Sequence, residues 1–170
     1  MSTIAQLRNG ANVAAWIFKA NPVVWDVLGA LRSPEGREAL DTWGMAPSYR
    51  VDLVRPGQPC VLWVTGGRHS TDTGAWAIGE ITSEPFLDEG DPDDTRWTDE
   101  QVRSALRPHV HFRLDVLQRP VTLAELYEDP RFARAEIIRA PRVSSPVALT
   151  ADEFAAIKDA VEHRPGAVEH

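Results

Sequence analysis

At 170 residues the chain is long enough for one domain with a sizeable core, and 43% apolar with 25% charged residues is the balance of an ordinary globular protein. No apolar run reaches the length of a membrane span, and the single cysteine, Cys60, excludes an internal disulfide and a cysteine-built zinc cluster. The net charge of −7 and the lack of any Lys/Arg run argue against tight binding to a long phosphate backbone.

Residues Met1 to Asn12 read as a polar lead-in or a short helix. Met1 to Arg8 has no basic stretch followed by an apolar one, so no signal peptide is expected and the cytoplasm is the expected location. The first strand is expected over Ala14 to Ala20. Its apolar residues Trp16, Ile17 and Phe18 suit a strand buried on both faces, and it ends in the polar Lys19-Ala20-Asn21-Pro22. Pro22 stops ladder pairing. Val23, Trp25, Val27, Leu28 and Leu31 then space a helix over about Val23 to Arg32, and Ser33-Pro34-Glu35-Gly36 has turn chemistry. Residues 37–50 are irregular yet hold Trp43, Met45 and Tyr49, large side chains that either plug the core from a loop or line a site.

Arg55-Pro56-Gly57-Gln58 is a tight turn before a strand from Pro59 to Thr65. Strand alternation puts Val61, Trp63 and Thr65 on one face and Leu62 and Val64 on the other. Cys60, inside this apolar run, reads as a buried structural thiol. Gly66-Gly67 lets a backbone approach closely, but no Gly-Lys-Ser/Thr follows, so a phosphate loop is a poor reading. After an exposed tip, Arg68 to Thr73, the next strand begins with Gly74 to Ile81 and ends near Pro85, completing a hairpin. Glu84 to Glu100 holds eight acids against Arg96 alone; that segment carries −7, and the other residues balance at 17 acids and 17 bases. It reads as a surface loop anchored by Trp97. Val110 to Leu117 alternates like a half-buried strand. Thr122-Leu-Ala-Glu125 is a capping box, Arg131 to Ile138 a further turn of helix, and Val147 to Leu149 a brief strand. Thr150-Ala-Asp-Glu153 is a second capping box, opening an amphipathic helix through Phe154, Ile157 and Val161. The expected organisation is a lead-in over 1–13, one domain over 14–163 and a tail over 164–170. Five or six strands with short helices between them make an α+β chain, and short strands around a compact core suggest a small, partly open barrel.

Three constellations could carry chemistry. His109 and His111 share one face of a strand at a spacing some metal sites use, with Glu80 or Asp115 as conceivable completing ligands; two ordinary strand histidines are the competing reading. His69-Ser70-Thr71-Asp72 has the residue types of a hydrolytic triad, but neighbours in one loop do not make triad geometry and no nucleophile elbow is present. Six tryptophans are the stronger signal. An indole wall beside Asn, Lys and close-approach glycines is chemistry for a flat ligand with a polar edge, such as a nucleobase; tryptophans that only fill the core are the alternative.

Read in order, Trp16-Ile17-Phe18-Lys19-Ala20-Asn21-Pro22, then Trp43 with Tyr49-Arg50, then Pro56-Gly57 before Val61-Leu62-Trp63-Val64-Thr65-Gly66, then Gly74 to Ile81 with Pro85, and finally Leu149-Thr150 with Glu153, resemble the EVE domain. This is a member of the PUA-like superfamily related to YTH domains, and the likeness runs from about Ala14 to Val161. The resemblance implies a PUA-like β-barrel flanked by helices, with a pocket for one modified base flipped out of DNA or RNA and no catalysis. It implies that Lys19 and Asn21 line the pocket mouth, that Trp43 stacks on the base with Tyr49 nearby, and that Trp63, Thr65 and Gly66 form the opposite side. The implied partner is modified DNA or RNA, with no cofactor and no membrane. Two alternatives stay open: a sensor of a free nucleotide or other small planar ligand, and a metal-dependent enzyme using His109 and His111.

Overall fold

The structure, a computed structural model, describes residues 4–66, 72–89 and 106–163. The expected Arg68–Thr71 part of the hairpin tip, the His69-Ser70-Thr71 group, Gly67, most of the acidic segment with Trp97, and the tail from 164 lie outside them.

The lead-in is a small antiparallel hairpin, β1 (Ala5–Gln6) with β2 (Asn12–Val13), and not a helix. Gly10, at φ +88°, makes the turn, and Asn9 Oδ1 accepts from the N–H of Ala11 at 3.0 Å. Leu7 and Val13 are buried in the main core, so the hairpin is tied to the domain.

The remaining described strands form one curled, mixed sheet. They are β3 (Ala15–Ala20), β4 (Thr42–Gly44), β5 (Pro59–Val64), β6 (Gly74–Ile81), β7 (Phe86–Asp88), β8 (Arg107–Thr122) and β9 (Val147–Leu149). The order is β4-β8-β6-β5-β3-β9, with β7 also on β8. β3 and β5 run parallel, and the other pairs are antiparallel. β8 is 16 residues long, twice the length expected from its alternation, because it pairs in succession with β7, β4 and β6 as the sheet curls. β7 is part of the segment expected to be a surface loop; Phe86 at the face of β8 gives it a reason to pair.

Strand alternation produces two cores, one on each face. Trp16, Phe18, Leu62, Val64, Ala77 and Phe112 fill the inside of the curl. Ile17, Val61, Trp63, Val121 and Leu149 lie on the outer face. The helices α3 (Leu123–Tyr127), α4 (Glu136–Arg139) and α5 (Ala151–Glu162) lend Leu126, Ile137, Phe154 and Ile157 to that outer core. The inner core takes Val27 and Leu31 from α1 (Val27–Arg32). Ser33 and Pro34, expected in a turn, instead open α2 (Pro34–Ala39). Ser33 Oγ accepts from the N–H of Gly36, and Pro34 takes the first helical position, where its missing N–H costs nothing. Both predicted capping boxes are present with both of their hydrogen bonds. Among the described residues no helix is long and apolar enough to cross a membrane.

Trp16 and the turn before β5 are joined by one side chain. Gln58 Oε1 accepts from the Trp16 indole N–H at 2.9 Å and from the N–H of Arg55 at 2.7 Å, while its Nε2 donates to Leu53 O at 3.0 Å. Trp16 is fully buried, so this satisfies a donor that water cannot reach. The turn itself needs Gly57, which holds φ +92°.

Candidate functional site

The registers bring three chain segments to one end of the curl. Ala20 closes β3 opposite Val64 of β5, and Val64 in turn faces Gly74, the first residue of β6. Beyond the end of β9 the edge of β3 is open at Lys19. Ser145 Oγ accepts from the Lys19 N–H at 2.7 Å, and the Trp43 indole donates to Lys19 O at 3.3 Å. Trp43 is thereby held by its own edge against the end of β3.

Trp43 has one side on the buried Phe112, with ring centres 6.4 Å apart and planes 28° from parallel. Trp25 stands against it at 88°, with centres 5.6 Å apart. Both indoles are half-buried, and together they form an aromatic corner packed on the inner core. Two perpendicular indoles offer a planar ligand a face to stack on and an edge to abut. Trp76, also half-buried, packs on the same core at the start of β6. A bulge puts it there: Trp63 pairs with Ala75 and Leu62 with Ala77, leaving Trp76 as the extra residue. Its indole donates to Asp72 O at 2.7 Å. Trp25 and Trp76 are the aromatic residues that reading the sequence did not assign to the site. The short interval from Asn21 to Trp25 was a usable signal for the first, whereas a bulge has no local mark in β6.

The polar groups at this end are already partly engaged. Asn21 is exposed, and its Oδ1 accepts from the N–H of Val23 at 2.9 Å, so its amide N–H donors are what it presents outward. Thr65 donates both its N–H, at 2.9 Å, and its hydroxyl, at 3.3 Å, to Ala20 O, which fixes the chain as it leaves β5. Gly66 follows it, exposed.

Three residues expected at the site are placed differently. The Lys19 side chain lies on the outer face, and its Nζ donates to Pro141 O at 2.8 Å and Val143 O at 2.7 Å. Burial lowers its pKa. Alternation along β3 decides this: Phe18 and Ala20 face inward, so Lys19 cannot, and only its carbonyl meets Trp43. Trp63 is 1% exposed and stacks on Phe132 at 6.0 Å and 13°, in the outer core. In this arrangement it supports the sheet and presents no surface to a ligand. Tyr49 lies in a 3-10 turn (Tyr49–Leu53), where its hydroxyl accepts from the Arg8 N–H at 3.1 Å and the Arg8 guanidinium sits 4.1 Å over its ring. That hydrogen bond from the Arg8 backbone, with help from Arg50, lowers the phenol pKa. Its contacts are with the N-terminal hairpin and not with the aromatic corner. The Trp43 indole thus sits on the carbonyl of Lys19, and Asn21, Thr65 and Gly66 follow the ends of β3 and β5, whereas the side chains of Lys19, Trp63 and Tyr49 lie elsewhere.

His109 and His111 do share a face of β8, but Phe86 lies over both rings, at 6.2 Å and 5.0 Å. His109 is buried and its Nδ1 is 2.9 Å from Arg107 O. Among the described residues the one cluster with three metal-ligand side chains is Asp159, Glu162 and His163, at the exposed end of α5. Neither strand histidine belongs to it. Burial, with the charge of Glu80 behind it, pushes the Cys60 thiol up to about 12, as expected for a structural cysteine.

The EVE domain family model matches residues 14–160. A search of curated protein sequences finds no match. Among solved structures, the Rpa0253 protein of Rhodopseudomonas palustris is 24% identical with a TM-score of 0.58, covering 93% of this chain and 97% of its own. A Pseudomonas putida protein is 18% identical with a TM-score of 0.60, covering 86% and 99%. Human THYN1, in a crystal structure with 5-methylcytosine-containing DNA, is 14% identical with a TM-score of 0.57, covering 89% and 99%. Agreement at these identities is agreement of fold, and it places the curled sheet with its flanking helices among PUA-like domains.

Proposed function

Because this chain belongs to the EVE domain family, we propose that it is a non-catalytic module that binds a modified nucleobase turned out of a nucleic acid. The observation that carries the reading is the Trp43–Trp25 corner at the end of β3, tied to Asn21 through the Trp25 N–H that donates to the Asn21 carbonyl. A base stacked on one indole gains roughly 1–3 kcal/mol, while extruding it costs a few kcal/mol. Binding is therefore modest unless a modification adds contact, and a methyl group on the ring edge meets the second indole. The outward donors of Asn21 suit an acceptor on the base edge, such as a ring nitrogen or carbonyl oxygen. The complex of human THYN1 with 5-methylcytosine DNA supports testing that base first.

Titration of tryptophan fluorescence with oligonucleotides carrying 5-methylcytosine, 5-hydroxymethylcytosine or N6-methyladenine is the test. One of them should quench emission and bind at least about tenfold more tightly than its unmodified counterpart, as about 1.4 kcal/mol of extra contact requires. Trp43→Ala and Trp25→Ala should each remove that preference while leaving the protein folded. No response to any modified base from the folded protein ends this reading. A second reading, a sensor of a free modified nucleoside, draws support from the net charge of −7. It predicts equal affinity for the nucleoside and for the same base within an oligonucleotide.

A further inference from the structure

Two residues before Trp25 the chain holds an apolar side chain out into water on a hydrogen-bonded turn. Val23 is 79% exposed, the highest value among the exposed large hydrophobic side chains of the described residues. The others, Ile4, Leu87, Leu106 and Tyr127, lie before β1, on β7, before β8 and on α3, all remote in sequence from the corner. A single exposed apolar residue needs no explanation by itself. The rigidity of its support does. Asn21 O accepts from the N–H groups of both Val24 and Trp25 at 3.0 Å, Asn21 Oδ1 accepts from the N–H of Val23 at 2.9 Å, and Pro22 fixes its own φ. Three hydrogen bonds thus converge on one residue, and the β-branched Val23 adds a stiff χ1. The result is a preformed apolar point, two residues from Asn21 on one side and two from Trp25 on the other. Two residues of chain span at most about 7 Å, the thickness of about two stacked bases at 3.4 Å each.

We propose that Val23 is a wedge: it enters the base stack of a double-stranded nucleic acid and fills the gap left when a base turns into the Trp43–Trp25 corner. This rests on the reading of the corner as a base site and deepens it by naming a duplex as the partner. A free nucleoside or a flexible single strand leaves no gap to fill, so a wedge serves neither. In a duplex, an extruded base leaves its neighbours without a stacking partner, and an apolar side chain inserted at that step recovers part of the loss. An Asn and a Trp flanking the wedge would hold the displaced base as the wedge replaces it, which makes extrusion and capture one motion of the nucleic acid against a fixed protein surface.

The test compares wild type, Val23→Ala and Val23→Leu on three ligands: a duplex with a central 5-methylcytosine, the same strand without its complement, and free 5-methyl-2′-deoxycytidine. Val23→Ala should weaken duplex binding about tenfold, because the gap at the unstacked step is no longer filled, and change single-strand affinity by less than about twofold. Val23→Leu should retain duplex binding. A 2-aminopurine placed beside the target base should brighten on binding wild type and less on binding Val23→Ala. Equal losses on duplex and single strand, or no loss on either, overturn the wedge while leaving the base site standing. Failure of wild type to bind any of the ligands, together with failure on the other modified bases, removes the base site itself. Val23 is exposed, so neither substitution threatens the fold.

Discussion

Trp63 and Trp43 occupy strands of one sheet but sit in different surroundings, and substitution separates them. Trp63 is 1% exposed and stacked on Phe132, so Trp63→Ala empties a large volume of the outer core. It should cost about 3–5 kcal/mol of stability, seen as a lowered denaturant midpoint. Trp43 is half-buried, with part of its surface against Phe112 and Trp25. Trp43→Ala should cost less stability, on the order of 2 kcal/mol, and lose the modified-base preference. If Trp63→Ala instead folds normally and loses binding, the two roles are exchanged. Alternation along β5 already allotted Trp63 and Leu62 to opposite faces. Which of those faces carried helices was not legible in the strand, because period-two patterning tells sides apart without saying what covers either.

At the scale of elements, the most local signals were the most informative. The capping box at Thr150 and Glu153 needs only four consecutive residues, and the structure shows both bonds: Thr150 Oγ1 accepts from the Glu153 N–H at 3.2 Å, and Glu153 accepts from the Thr150 N–H at 2.9 Å. Thr150→Ala should cost about 1 kcal/mol, measurable as a small drop in thermal midpoint, with α5 still formed because Phe154 and Ile157 anchor it. The start of β6 at Gly74 and both limits of Val147 to Leu149 were also legible, whereas β6 ends at Ile81, short of the expected end near Pro85. The length of β8 was not. Past Leu117 its residues lose the alternation, yet they remain paired, since Val121 and Thr122 meet Ala75 and Gly74 across the bulge. Gly74 permits that approach: a Cβ there would lie 2.2 Å from Val121 O. Ser33-Pro34 shows the converse, where one short motif serves as either a turn or a helix start and only α1 packing against α2 distinguishes them.

Across the whole molecule, one ion pair ties distant segments together. Arg50, in the 3-10 turn, reaches Glu136 on α4 through both guanidinium nitrogens and also donates to Pro146 O at 3.1 Å. Glu136 is 7% exposed, and its Oε1 also accepts from the Ala148 N–H at 3.4 Å, so the carboxylate holds β9 as well. Burial alone would raise the Glu136 pKa, but the hydrogen bonds and charge of Arg50 outweigh it and hold the carboxyl below its ordinary value. A depressed folded-state value means this stabilisation is complete above the unfolded glutamate pKa, about 4.3, and disappears as pH falls through the folded value. The thermal midpoint should therefore decline on acidification below about pH 4.3. Glu136→Gln should lower it at neutral pH by the equivalent of about 3 kcal/mol and flatten that acid limb, because the group that titrates is gone. An acid limb as steep in the variant as in the wild type would show that other carboxylates govern it.

The amino-acid sequence by itself determined the two capping boxes, the apolar strands, the helix through Phe154 and Ile157, and the ordered motifs that resemble the EVE domain. These depend on neighbours within a few residues, or on residue order, and both are written along the chain. Only the tertiary structure decided which polar and aromatic groups meet. It set Trp25 at right angles to Trp43, added Trp76 through a bulge, and placed Phe86 over two histidines. It also turned Lys19 away to Pro141 and Val143, more than a hundred residues along the chain. The physical reason is that each of these contacts depends on strand register, on sheet curl and on which face a side chain leaves, and those quantities come from packing between segments that no local pattern connects.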